Sequence, residues 1–168
     1  FSMYERAAIP DPIPAELDDK PHFMCELYTR YDLARLTPDD LRELRATYYG
    51  MVTKLDEQAG RVIAALKAQG LYDNALILFL SDHGDYAGDY GLVEKWPTGF
   101  QDNLLRAPLI VKYPANAHAG QRVEGFTQSL DLFPTVLEQA GIHTPYTHFG
   151  QSLTSLLEDG AGREAVYA

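Results

Sequence analysis

Apolar residues recur at positions 41, 44, 48, 51, 52, 55, 59, 62, 63 and 66. The steps of three and four put them on one stripe of a long helix. Thr37 suits its cap, Pro38 its first turn and Asp40 the positive end of its dipole. Gly70 is a natural terminator, and Gly50 and Gly60 each cost about 1 kcal/mol relative to Ala and are candidate bends. The apolar run Ala75–Leu80 then has the length and composition of a strand buried on both faces. A second strand is predicted from Pro108 to Lys112 and a short one over 122–128. A helix follows from Asp131 to Ala140, with Pro134 tolerated in its first turn and Gly141 after its end. A short amphipathic helix, Leu153–Leu157, ends before Gly160. This alternation predicts an α/β fold, a sheet layered with helices. Residues 1–38 differ: they hold Pro10, Pro12, Pro14, Pro21 and Pro38 and predict an irregular surface segment ahead of a 39–168 body.

At 168 residues the chain has the length of one domain and enough mass for a sizeable core. No apolar run approaches the ~18 residues of a membrane span, and no signal-peptide pattern opens the chain. Its first residue is Phe, so the sequence is expected to begin within a longer protein. The net charge of −10 argues against nucleic acid and against anionic membrane surfaces. An anionic substrate must therefore be drawn by local positive charge. The single cysteine, Cys25, excludes an internal disulfide and leaves the compartment undetermined.

Chemistry concentrates where the apolar run stops. Ser81 is followed by Asp82 and His83, a hard carboxylate and an imidazole, a mixture suited to Ca²⁺, Mg²⁺, Mn²⁺ or Zn²⁺. Adjacent residues at a strand end point to opposite faces, so both reach one ion only if the chain turns there; Gly84 permits that turn. Gly88 and Gly91 allow an irregular loop, and Lys95 closes it with a mobile cation. In open α/β sheets such a loop lies in the ligand-binding crevice beyond the strand ends. A metal site that handles an oxyanion is the reading. Asp85 and Asp89 are expected to form turns. Tyr86, Trp96 and Phe100 suit either a substrate pocket or ordinary packing. His22, His118, His143 and His148 lack partner spacing and are expected at the surface. Cys25 is expected as a buried, inert thiol.

The full pattern, S-D-H-G-D-x-x-G-D-x-G-L-x-x-K over residues 81–95, resembles the metal-and-sulfate loop of the sulfatases, in the alkaline-phosphatase-like superfamily. The likeness extends over about residues 40–168. Residues 48–70 resemble the family's long helix before the strand, 106–114 (RAPLIVKYP) the strand after the loop, and 129–141 (SLDLFPTVLEQAG) the next helix. The resemblance implies a partial alkaline-phosphatase-like fold with a central mixed, mostly parallel sheet flanked by helices. It implies that Asp82 and His83 are two ligands of one divalent cation, most naturally Ca²⁺, with Mg²⁺ or Mn²⁺ as alternatives. Many relatives carry Asn where His83 stands. Lys95 is implied to contact sulfate oxygens and to offset transition-state charge.

The family's nucleophile, a formylglycine made from cysteine in C-x-P/A-x-R, is not found here. Cys25 is followed by Leu27 and Thr29 where Pro or Ala and Arg would stand. Two further metal-ligand aspartates and an auxiliary histidine are also expected upstream. The chain thus reads as the later part of a sulfatase catalytic domain, without its C-terminal subdomain, acting on a sulfate-ester small molecule or glycan. A phosphodiesterase or phosphonate monoester hydrolase of the same superfamily, and a non-catalytic metal-binding domain, are the alternatives.

Overall fold

The computed structural model describes residues 3–96, 98–160 and 162–166, with Asp159 described by its backbone. The elements are helices α1 (His22–Arg30) and α2 (Pro38–Ala68), strand β1 (Ile77–Leu80), helix α3 (Asp102–Leu105), strand β2 (Leu109–Lys112), and helices α4 (Leu132–Gln139) and α5 (Leu153–Asp159). They fall into two compact units. One holds residues up to Leu66 with His83–Ala107; the other holds Lys67–Asp82 with the chain from Pro108 onward.

In the first unit, α2 begins as its sequence dictates. The Thr37 hydroxyl accepts from the Asp40 amide at 3.2 Å, and the Asp40 carboxylate accepts from the Thr37 amide at 2.9 Å and its hydroxyl at 2.7 Å. Two orphan donors of the first turn are thereby satisfied. The helix passes Gly50 and Gly60 unbroken. Its stripe is only partly covered: Ala46 is buried, whereas Met51, Val52, Leu55 and Val62 are more than half exposed.

The segment before α2 is folded, contrary to expectation. Pro21 precedes a nine-residue helix, α1, whose apolar residues Phe23, Met24, Leu27 and Tyr28 recur at helical spacing. Met24 is fully buried and packs with Leu33, Tyr86, Leu92 and Leu104 in the unit's core. Upstream, the Arg6 guanidinium donates both to Glu43 Oε1 and to Glu43 Oε2 at 2.6 Å, and Arg42 reaches Asp11 at 3.0 Å. These contacts tie the proline-rich strand of chain to α2.

In the second unit, Gly70 ends α2 with φ +68°. Strands β1 and β2 pair antiparallel, Ile77 opposite Lys112 and Leu80 opposite Leu109. The pair is half-buried, with Leu80 exposed, so β1 is shorter and less covered than the apolar run predicts. Burial on both faces requires layers that the described residues do not supply. The parallel strands of the expected mixed sheet are likewise not among them; the described residues contribute one antiparallel pair. Lys112 Nζ donates to the carbonyls of Tyr72, Asp73 and Ala75, which fixes the turn into β1.

The strand expected over 122–128 is not formed. A single bridge joins Phe126 to Arg163 instead. Helices α4 and α5 form where predicted, with Gly141 and Gly160 at positive φ after their ends. Both are organised by Asp131, 2 % exposed. Its carboxylate accepts from the Gln128 amide at 2.7 Å, the Gln151 amide at 2.8 Å and the Arg163 guanidinium. No helix among the described residues is long and apolar enough to cross a membrane.

Candidate functional site

The loop after β1 holds its shape through main-chain contacts. Ser81 donates to the Pro108 carbonyl at 3.3 Å, continuing the strand pairing by one residue. The chain bends at Asp82 and re-enters the first unit at His83; both residues are exposed. His83 Nδ1 lies 2.7 Å from the carbonyl oxygen of Gly84. A carbonyl only accepts, so Nδ1 donates, and in the neutral ring the lone pair resides on Nε2. That is the tautomer a metal-ligating histidine adopts when its other nitrogen is held by a carbonyl.

Gly84 is fixed by proximity as well as by hydrogen bonding. Its amide donates to the Leu104 carbonyl at 2.7 Å, and a Cβ there would stand 1.9 Å from the Asn103 carbonyl oxygen. Only glycine lets the loop lie this close to α3. Asp85 makes the expected turn, accepting from the Ala87 amide at 2.8 Å. Ala87, Tyr90 and Glu94 then take positive φ (46°, 56° and 66°), an unusual density of strained non-glycine residues.

Asp89 is the residue that sequence reasoning missed. Expected as a turn former, it is buried, accepts from the Ile13 amide at 2.8 Å and from Asn103 Nδ2 at 3.3 Å, and pairs with Arg45 at 3.4 Å. It binds the loop to α2, α3 and the N-terminal segment at once. No local signal announces this, because all of its side-chain partners are distant in sequence.

The aromatic residues divide. Tyr86 is fully buried core, its hydroxyl donating to Gln101 Oε1 at 2.5 Å. Burial, and secondarily Tyr90, raises its pKa above the ordinary phenol value. Phe100 is exposed. Trp96 is half-buried, and its indole N–H donates to the Val93 carbonyl at 2.9 Å. Lys95, immediately before it, is exposed. Cys25 is half-buried, not buried as expected; its thiol donates to the Leu17 carbonyl at 3.6 Å. His22, His118, His143 and His148 lie at the surface. Among the described residues, no group of three or more His, Cys, Asp or Glu side chains is gathered as a metal would require. Asp82 and His83 are a partial donor set of suitable chemistry, a hard oxygen beside an imidazole nitrogen.

A sequence profile of the Sulfatase family matches residues 18–142. The chain belongs to the sulfatase family. It is 37 % identical over 175 aligned residues to PehA of Trinickia caryophylli, described as a multifunctional alkaline phosphatase superfamily protein, covering 95 % of this chain and 34 % of that protein. It is 31 % identical to an arylsulfatase of Clostridium perfringens, again covering 95 % of this chain and 34 % of the relative. Its fold matches the phosphonate monoester hydrolase SpPMH of Silicibacter pomeroyi with a TM-score of 0.82 at 32 % identity, over 98 % of this chain and 35 % of that one. The chain thus spans about a third of the length of these relatives.

Proposed function

We propose that the chain carries part of the active site of a metal-dependent hydrolase of sulfate esters. The observation that carries this reading is the strand-to-loop pattern from Ser81 to Lys95 in a chain of the sulfatase family, with His83 Nδ1 paired to the Gly84 carbonyl. Asp82 would offer a carboxylate oxygen and His83 its Nε2 to one divalent cation, most naturally Ca²⁺, with Mg²⁺ or Mn²⁺ as alternatives. Ca²⁺ takes ~6–8 oxygen ligands, so Asp82 and His83 would be only part of the coordination sphere. When bound, the cation supplies Lewis-acid polarisation of the ester's oxygens.

The chain's own residues do the rest of what is assigned here. Asp82 brings negative charge to the cation, and the His83–Gly84 contact orients the imidazole. Lys95 donates to a sulfate oxygen and offsets the charge that builds up there as the ester bond breaks. Its exposure lets the ammonium turn toward a bound anion, and the chain's overall negative charge makes that local cation count for more. The nucleophile, a formylglycine in this reading, is supplied outside residues 1–168. The substrate class is a sulfated small molecule or glycan.

The test is turnover of 4-nitrophenyl sulfate by the whole protein, before and after chelation. Metal-dependent release of nitrophenol is expected, and activity indifferent to chelation overturns the reading. A second reading, hydrolysis of phosphonate monoesters, is favoured by the likeness to SpPMH. Lys95 and a divalent cation would serve a phosphonate oxygen equally well. A rate on a 4-nitrophenyl phosphonate monoester well above that on the sulfate would establish it.

A further inference from the structure

Lys95 reaches solvent on a four-carbon stem with several rotatable bonds, so a fixed position for its ammonium needs a fixed backbone. The residues on either side supply one. Glu94, at φ +66°, presents its carbonyl to the amide of fully buried Tyr86 at 3.2 Å. Trp96 donates its indole N–H back to Val93 at 2.9 Å, and its own carbonyl accepts from the Gly99 amide at 3.1 Å. Against the indole lies the ring of Tyr31, the residue that ends α1, with centroids 4.9 Å apart and planes tilted by 40°. Tyr31 is itself 46 % exposed and adds little to the core, so its ring contributes there chiefly through this contact.

We infer that the Tyr31–Trp96 stack is a positioning device that holds Lys95 at the reacting oxyanion. Both aromatic residues are positioning residues: they act through the lysine and are not assigned contact with substrate. The inference rests on the proposed oxyanion role of Lys95. It explains why a strained backbone at Glu94 is retained, since local strain persists where surrounding contacts over-determine it. It also accounts for the short path from stack to charge: Trp96 follows Lys95 directly, so a shift of the indole moves the lysine Cα.

The experiment is a double-mutant cycle in the whole protein, on the faster of 4-nitrophenyl sulfate and a 4-nitrophenyl phosphonate monoester. Tyr31→Ala and Trp96→Ala should each lower kcat/KM by about tenfold or more, since small misplacements of a catalytic group carry costs up to ~10²-fold. Tyr31→Phe and Trp96→Phe keep an aromatic face and should restore most of the loss. In a Lys95→Ala background, Tyr31→Ala should have almost no further effect, the signature of residues acting through one another. Tyr31→Ala is the safer probe because its ring is half-exposed, and its melting temperature should stay near that of the parent. Losses that multiply in full with that of Lys95→Ala, or a Tyr31→Ala protein with unaltered turnover, overturn the stack's positioning role and leave the lysine's role standing. A Lys95→Ala protein with unaltered turnover overturns both.

Discussion

The Nδ1 atom of His83 is 2.7 Å from the carbonyl oxygen of Gly84, a hydrogen bond between a side chain and the next residue's main chain. It sets which nitrogen of the ring keeps the lone pair, and it does so from within the loop. His83→Ala should therefore weaken metal binding by the whole protein by ~10–100-fold or more, the range seen even when only a ligand's hydrogen-bond partner is lost. His83→Asn retains one donor oxygen and should lose less. Calorimetric titration of chelator-treated protein with Ca²⁺ measures both, and equal affinities for parent and His83→Ala would remove His83 from the ligand set.

Gly84 and Gly60 should respond in opposite directions to the same substitution. At Gly84 a methyl group would lie 1.9 Å from the Asn103 carbonyl oxygen, and a main-chain atom cannot step aside without moving α3. Gly84→Ala should cost at least ~1–3 kcal/mol. At Gly60, inside α2, nothing lies within 4 Å of the added carbon, so Gly60→Ala should stabilise by about 1 kcal/mol. Denaturant melts of the two variants give the comparison, and a tolerated alanine at Gly84 would contradict the close approach.

Asp131 predicts the largest stability loss. Its carboxylate is nearly inaccessible and holds two main-chain amides besides Arg163, whose side chain is 13 % exposed. Removing one partner of a buried ion pair costs about 3–5 kcal/mol because the other charge is left uncompensated. Asp131→Asn should show a loss of this size in equilibrium unfolding. Adding Arg163→Met should recover part of it, because the stranded cation is then gone. A double variant no better than the single would assign the cost to the amides instead.

How much of this was legible beforehand depends on the range of the interaction that decides each feature. The start of α2, its end at Gly70, the helices after Asp131 and Ser152, and the turn at Asp85 follow from neighbours within a few residues, and the sequence pattern locates them. The role of Asp89 depends on Ile13, Arg45 and Asn103, which no window of sequence brings together. Prolines obscured α1: Pro21 reads as loop punctuation, yet it stands at the N-cap of α1, where an N–H would have no partner within the helix. The apolar run at 75–80 overstated burial because hydrophobicity reports a preference for cover, and the described residues do not provide that cover. The pattern from Ser81 to Lys95 identified the family, while the Tyr31–Trp96 contact joins two elements far apart in sequence.

The cap of α2 carries a pH signature. Hydrogen bonds from the Thr37 hydroxyl and then its amide hold the Asp40 carboxyl below its ordinary 3.8. A carboxylate whose pKa is depressed by folding contributes stability that is fully present above its unfolded value and is lost as pH falls through the folded one. Asp40→Asn should thus be less stable than the parent at neutral pH, with the gap closing below about the ordinary carboxylate value. In a Thr37→Ala background the destabilisation caused by Asp40→Asn should shrink, because the hydroxyl is the larger cause. Thermal melts across the acid range test the sign, and a gap that widens toward low pH would contradict it.

Residues 1–168 produced alone should show no metal-dependent hydrolysis of an aryl sulfate. Catalysis needs a nucleophile beside the cation, and Cys25 lacks the C-x-P/A-x-R surroundings, its thiol donating instead to the Leu17 carbonyl. Two donors are also too few for a hard cation. The isolated polypeptide faces a physical problem as well. Met51, Val52, Leu55 and Val62 present an uncovered apolar face on α2, and Ile110 is 62 % exposed on β2. A two-stranded sheet is marginal by itself, and its unpaired edges invite association. Aggregation is expected, measurable by light scattering on size-exclusion chromatography. In the whole protein, Cys25→Ala should leave turnover within about twofold, since a half-buried thiol behaves as a small hydrophobe. Robust turnover by the isolated 168 residues, or its abolition by Cys25→Ala in the whole protein, would place a nucleophile within this chain and displace the formylglycine reading.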